Sequence, residues 1–215
     1  MPRSTPKRAG GEPIRKDGSD ARAAARPDGG TGARTAAVTR AVAELIRALG
    51  LDEAREPELR ETPARVADFY REALAGLEPG SEPELATFPH EGAGDLVVVR
   101  DLPFHSLCVH HFVPFFGRAL VAYLPGDTLV GISGAARLLD HYARRPQLQE
   151  RLGRQVADHL ERLLRPRGVA VVLEARHLCM EMRGIRTRGT VETHTLLGEL
   201  ADPRWAEALR RPGGR

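Results

Sequence analysis

Arg118-Ala119-Leu120-Val121-Ala122-Tyr123-Leu124-Pro125-Gly126-Asp127 is the stretch that sets the fold class. Its first seven residues alternate in strand fashion, and Pro125-Gly126-Asp127 is a turn signal. Beyond the turn, Ser133 reads as the cap of a helix running through Arg144. Pro146 reads as the start of a second helix, with Leu148, Leu152, Val156, Leu160, Leu163 and Leu164 on one side and Pro166-Arg167-Gly168 as its stop. Val169 to Glu174 is a near-continuous strand run, and Thr190 to Leu196 a weaker one. Strand, two helices, strand and strand, with hairpin-like links and no βαβ alternation, predict an α+β fold. Its sheet is mostly antiparallel, with the two helices packed on one face.

Working back from that stretch, Leu96 to Arg100 is a short strand and Gly80 to Gly94 is loop-rich. Thr35 to Leu49 is amphipathic, with Val38, Val42, Leu45, Ile46 and Leu49 at helical spacing and Gly50 as its stop. A second helix begins near Thr62-Pro63, where Thr62 can cap the free amides and Pro63 takes the first helical position. Val66, Phe69, Tyr70 and Leu74 form its apolar stripe. This divides the chain into a disordered basic tail over 1–35, N-terminal helices over 36–95, a catalytic sheet domain over 96–200 and a C-terminal tail over 201–215.

The chain carries a net charge of +3, but its first 35 residues hold eight basic and four acidic side chains, so the remainder is slightly acidic. The basic balance therefore belongs to the tail and does not predict a nucleic-acid groove. No apolar run approaches the ~20 residues of a membrane span, and the N-terminus lacks the apolar core of a signal peptide. The expectation is a cytoplasmic protein with no membrane or nucleic-acid partner. In that compartment the chain's two cysteines stay reduced, which favours metal binding or burial over a disulfide.

Both cysteines have histidine neighbours. His105, His110 and His111 crowd around Cys108, and His177 precedes Cys179 by two. Singly, each is an ordinary buried or surface residue. Together, two Cys/His clusters that use every cysteine point to zinc, whose catalytic sites take three thiolate or imidazole ligands and leave a fourth position open. Cys108 and His111 converge on one ion only if the chain turns between them. A strand continuing through His177 would place His177, Cys179 and Glu181 on one face.

Ser106-Leu107-Cys108-Val109-His110-His111-Phe112, Val121-Ala122-Tyr123-Leu124-Pro125 and Gly131-Ile132-Ser133 resemble the GTP cyclohydrolase I family in order and spacing. So do Arg145 to Leu152, His177-Leu178-Cys179 with Met182-Arg183-Gly184-Ile185-Arg186, and Glu61-Thr62-Pro63-Ala64-Arg65-Val66 upstream. The likeness spans about residues 36–200. It implies a tunnelling fold assembled as a homodecamer with sites at subunit interfaces. It also implies Zn2+ on Cys108, His111 and Cys179, and His110 and His177 as acid/base groups. Glu150 and Gln149 would hold guanine, and Ser133, Arg137, Arg183 and Arg65 would address ribose and triphosphate. The implied reaction opens the imidazole ring of GTP at C8, releases formate and rearranges the ribose to 7,8-dihydroneopterin triphosphate, the first step of pterin and tetrahydrofolate synthesis.

The chain departs from the family at two positions. Val109 stands where relatives generally carry an acidic residue, and Gly134 where a lysine commonly follows the serine. These motivate one alternative, a cyclohydrolase of the same fold acting on a modified or less phosphorylated purine nucleotide. A second alternative is a non-catalytic member whose zinc serves assembly or regulation; free histidines and a base-reading carboxylate argue against it.

Overall fold

A computed structural model describes residues 31–92 and 95–210. Two helices lead, α1 (Thr31–Ala48) and α2 (Thr62–Ala73), followed by β1 (Thr87–Pro89), β2 (Val97–Cys108), β3 (Pro114–Leu124), β4 (Thr128–Val130) and α3 (Ile132–Ala143). Then come β5 (Pro146–Gln147), α4 (Gln149–Leu164), β6 (Gly168–His177), the single turn α5 (Leu178–Glu181), β7 (Thr190–Gly198) and a last turn, α6 (Ala206–Leu209). The main sheet runs β5-β2-β3-β6-β7, antiparallel from β2 to β7, and β1 pairs with β4 in a separate ribbon.

Period-two alternation assigns each strand two faces. Phe115, Ala119, Val121 and Tyr123 of β3 join Val169, Val171, Leu173 and Ala175 of β6 beneath α3 and α4. Leu120, Ala122, Leu124 and Ala170 point the other way, onto Leu200 and Leu209. Leu152, Val156, Leu160 and Leu164 of α4 are buried at helical spacing, whereas Leu148 and Leu163 are partly exposed at the edge of that stripe. The predicted α+β sheet with two helices on one face is therefore the observed one. Gly153 lets α4 lie close to β7, since a Cβ there would meet Thr195 Oγ1 at 2.8 Å.

The helix boundaries differ from expectation for local reasons. Helix α1 already begins at Thr31, inside the segment assigned to the tail, whose residues 1–30 lie outside the described residues. Glu61, not Thr62, occupies the cap of α2, and the Thr62 hydroxyl turns back toward the Glu58 carbonyl at 3.5 Å. Gly131 takes the cap position of α3, leaving Ser133 exposed inside its first turn. Pro146 does not open a helix. It pairs with Leu107 as an edge strand parallel to β2, where a missing N–H is tolerated, and α4 starts three residues later. Strand β2 is also far longer than Leu96 to Arg100, because a bulge between Val99 and Leu102, with Asp101 at φ 55°, carries it past the break in the apolar pattern. At the C-terminus, short turns bring Leu200 and Leu209 onto the sheet, while residues 201–204 between them are exposed. No helix among the described residues is long and apolar enough to cross a membrane.

Candidate metal and substrate site

The site gathers at one end of the helix-covered face. Phe104, Ser106 and Cys108 of β2 point to that face, and β2 ends at Cys108. A tight turn follows, in which Phe112 N–H donates to the Cys108 carbonyl at 2.8 Å and Phe112 takes φ 53°. The turn required by the Cys108 and His111 spacing is thus present. Val109 N–H donates to the Gln147 carbonyl at 3.0 Å, which fastens the turn to β5. On the other side of β3, His177 is the last residue of β6 and Cys179 sits in the turn α5.

This geometry places ligand atoms of Cys108, His111 and Cys179 within 4.8 Å of one another. Cys108 Sγ lies 3.8 Å from His111 Nδ1. A tetrahedral zinc centre separates its thiolate and imidazole donors by roughly 3.5–3.8 Å, so the group fits with little adjustment. Burial pushes the Cys179 thiol up, the neighbouring Cys108 adds to the rise, and Arg183 opposes it. Two thiolates held this close repel, and a cation between them removes that repulsion.

Glu181 does not share a face with His177 and Cys179, because the strand stops at His177 and the chain turns. Its carboxylate instead forms a forked pair with Arg176, accepting from Nε at 2.8 Å and from Nη2. The pair holds the Glu181 carboxyl below its ordinary value and ties the Cys179 turn to the end of β6.

His177 lies flat on Phe115, with ring centroids 4.7 Å apart and planes 4° from parallel. Its Nε2 is 2.7 Å from Gln149 Oε1. Burial pushes the His177 pKa down, and the nearby Glu150 carboxylate partly restores it. Glu150 is exposed at the first turn of α4, so it is free to meet a ligand. Gln149 is not, because its amide is committed to the sheet and to His177. His110 Nδ1 stands 3.9 Å from Cys108 Sγ, and Arg183 Nη1 donates to His111 Nε2 at 2.8 Å.

Ser133, Arg137 and Arg65 have other settings within one chain. Ser133 is exposed on α3, Arg137 donates to the Glu84 carbonyl at 2.6 Å, and Arg65 pairs with Glu61 on α2. Sequence reasoning missed Phe115 and the Arg176–Glu181 pair. The first carries no signal beyond a strand apolar residue, and the second depends on a chain reversal that the pattern does not show. A cavity of about 510 Å3 lies away from this chemistry, on the other face between Leu120, Val172 and the C-terminal Leu209.

Fold and site together define an α+β protein with a three-ligand candidate metal centre and a histidine held by Gln149 and Phe115 at the end of an antiparallel sheet. The sequence profile of the GTP cyclohydrolase I family matches residues 38–211, reaching further into the C-terminal segment than the motifs did. A GTP cyclohydrolase 1 of Brucella anthropi is 50% identical over 163 residues, covering 74% of this chain and 76% of the relative. One from Streptomyces griseus is 50% identical over 166 residues (76% and 82%), and one from Halalkalibacterium halodurans 46% over 173 residues (80% and 92%). The chain belongs to the GTP cyclohydrolase I family, and its sheet with two helices on one face is the tunnelling-fold unit.

Proposed function

We propose that this protein is a zinc enzyme that hydrolyses the imidazole ring of GTP, releasing formate and yielding 7,8-dihydroneopterin triphosphate. The observation that carries the reading is the convergence of Cys108, His111 and Cys179 in a member of this family. Zinc, when bound there, would lower the pKa of a water molecule toward ~7 and so supply a nucleophile at neutral pH. Glu150 would accept from the N–H edge of guanine and orient C8 toward the cysteines. His177 and His110 would move protons as the ring opens, since an imidazole nitrogen can accept a proton and give it back.

Arg183, beside His111, would take a phosphate or ribose oxygen. Ser133, Arg137 and Arg65 would join the triphosphate site where chains meet in a homodecamer. Family membership supports that assembly, a cytoplasmic setting and a place in pterin and tetrahydrofolate synthesis.

A reading with a less phosphorylated or modified purine nucleotide is favoured by one feature. Gly134 is buried and offers no cation at the position after Ser133. Incubation of the zinc-loaded protein with GTP, GDP and GMP, followed by formate and pterin fluorescence, separates the two. Formate from GTP at the highest kcat/KM supports the proposal; formate only from GDP or GMP replaces it with the alternative.

A further inference from the structure

Gln149 is 2% exposed beneath the end of the sheet, and its amide orientation is forced. Its Nε2 lies 3.0 Å from the Leu173 carbonyl oxygen, 2.9 Å from that of Val191 and 3.2 Å from Thr193 Oγ1. Carbonyl oxygens only accept, so the amide nitrogen with its two hydrogens must face β6 and β7. The flipped amide would set its oxygen against two carbonyl oxygens, which repel it and have no hydrogen to give. Oε1 therefore faces His177, at 2.7 Å from Nε2.

An amide oxygen has no hydrogen to give, so the ring nitrogen opposite it must donate. His177 Nε2 carries a hydrogen whether the ring is neutral or cationic. Stacking on the fully buried Phe115 removes the other freedom, rotation of the ring plane. Nδ1 has no protein hydrogen-bond partner among the described residues.

We infer that Gln149 is a positioning residue that locks His177 as its Nε2–H form, so that the proton His177 exchanges with substrate arrives at or leaves from Nδ1. On uptake, a substrate O–H or N–H bond breaks, an Nδ1–H bond forms and the ring becomes imidazolium; on release, Nδ1–H breaks and the lone pair returns. The catalytic residue is His177, and Gln149 acts through it. This deepens the proposed ring hydrolysis and rests on it. It also separates Gln149 from guanine reading, which falls to Glu150.

Two measurements test it. Nitrogen-15 NMR on the full, zinc-loaded protein labelled at histidine, with His177→Asn to assign the signals, reads the tautomer above neutral pH. The expected spectrum has Nε2 protonated and Nδ1 bare; a neutral ring protonated at Nδ1 overturns the inference. Gln149→Met is then compared with the unaltered protein on GTP and on inosine triphosphate, which lacks the 2-amino group.

Loss of orientation predicts a kcat lower by about tenfold to a hundredfold. The GTP KM and the preference for GTP should stay within about twofold. A raised KM with a collapsed preference overturns the inference, because it makes Gln149 a base reader. Should the variant not fold, the NMR result on the unaltered protein decides alone. Absence of formate from GTP would instead remove the proposed activity while leaving the ring tautomer measured.

Discussion

Replacing Gly134 by alanine adds a single Cβ in the first turn of α3, directly after the exposed Ser133. That Cβ would lie 2.6 Å from Val130 Cγ2. Carbon atoms rest at about 3.5–4.0 Å, so Val130 or the helix must move by roughly 1 Å. Overpacking of this kind costs about 1–3 kcal/mol. Removing glycine from a helix returns at most about 1 kcal/mol, and less in a first turn. The expected outcome is a net loss of about 1–2 kcal/mol for Gly134→Ala. Val130→Ala alone should cost about 1.5 kcal/mol for two methyl groups. Because it opens the space the new Cβ needs, the double variant should be no worse than Val130→Ala, a favourable coupling of about 1–2 kcal/mol. Urea unfolding of all four proteins at one protein concentration measures this cycle, the fixed concentration removing any shift from assembly. Effects that add within about 0.5 kcal/mol would show that the contact carries no strain and sink the reasoning. The same cycle bears on substrate. Gly134→Lys should lower the GTP KM fully only when Val130→Ala accompanies it.

Cys108→Ser and Cys179→Ser should lose zinc and formate release together, whereas His177→Ala keeps the metal and loses about 10²–10⁴ in kcat; metal analysis beside a formate assay distinguishes them. Full zinc occupancy in both cysteine variants would discard the ligand set. Glu150→Gln should raise the GTP KM by about tenfold or more, read by steady-state kinetics, since a carboxylate acceptor becomes a mixed donor and acceptor. Glu181→Gln should weaken zinc binding in a chelator competition. The Glu181 pKa is depressed by Arg176, so the pair's support is present above the ordinary carboxylate value of about 4.3 and lost as pH falls through the lower folded value. The variant should therefore flatten the acid side of the stability profile, and an unchanged acid limb would contradict the clamp.

The alternation from Arg118 to Leu124 and the apolar stripe of α4 were legible because each is a local periodicity tied to burial. Strand β2 was not, since Asp101 and Pro103 interrupt its apolar run, and pairing along β3 holds it together across the bulge. Pro146 reads locally as a helix start, yet pairing with Leu107 overrides that preference. At the site, Cys108, His111 and Cys179 could be found because soft donors in clusters are rare enough to be informative. The ring stack of Phe115 on His177 is a cross-strand pair, and the Gln149 anchor spans α4, β6 and β7. Neither relation exists until the chain is folded.

Cys108 ends β2 and Cys179 sits in the turn that follows β6, and these strands are not neighbours: β3 lies between them. An ion held by Cys108, His111 and Cys179 would bridge over the first residues of β3 and close the chain from Cys108 to Cys179 into a loop containing α3 and α4. Such a loop is a reversible covalent-like cross-link, and its restraint falls at the N-terminus of α4, where Gln149 meets His177. Loss of the ion would leave the paired strands and buried leucines in place and loosen only that end of the sheet. Metal depletion should therefore surface as faster amide exchange at the sheet end around His177 and the first turn of α4, well before any global melting.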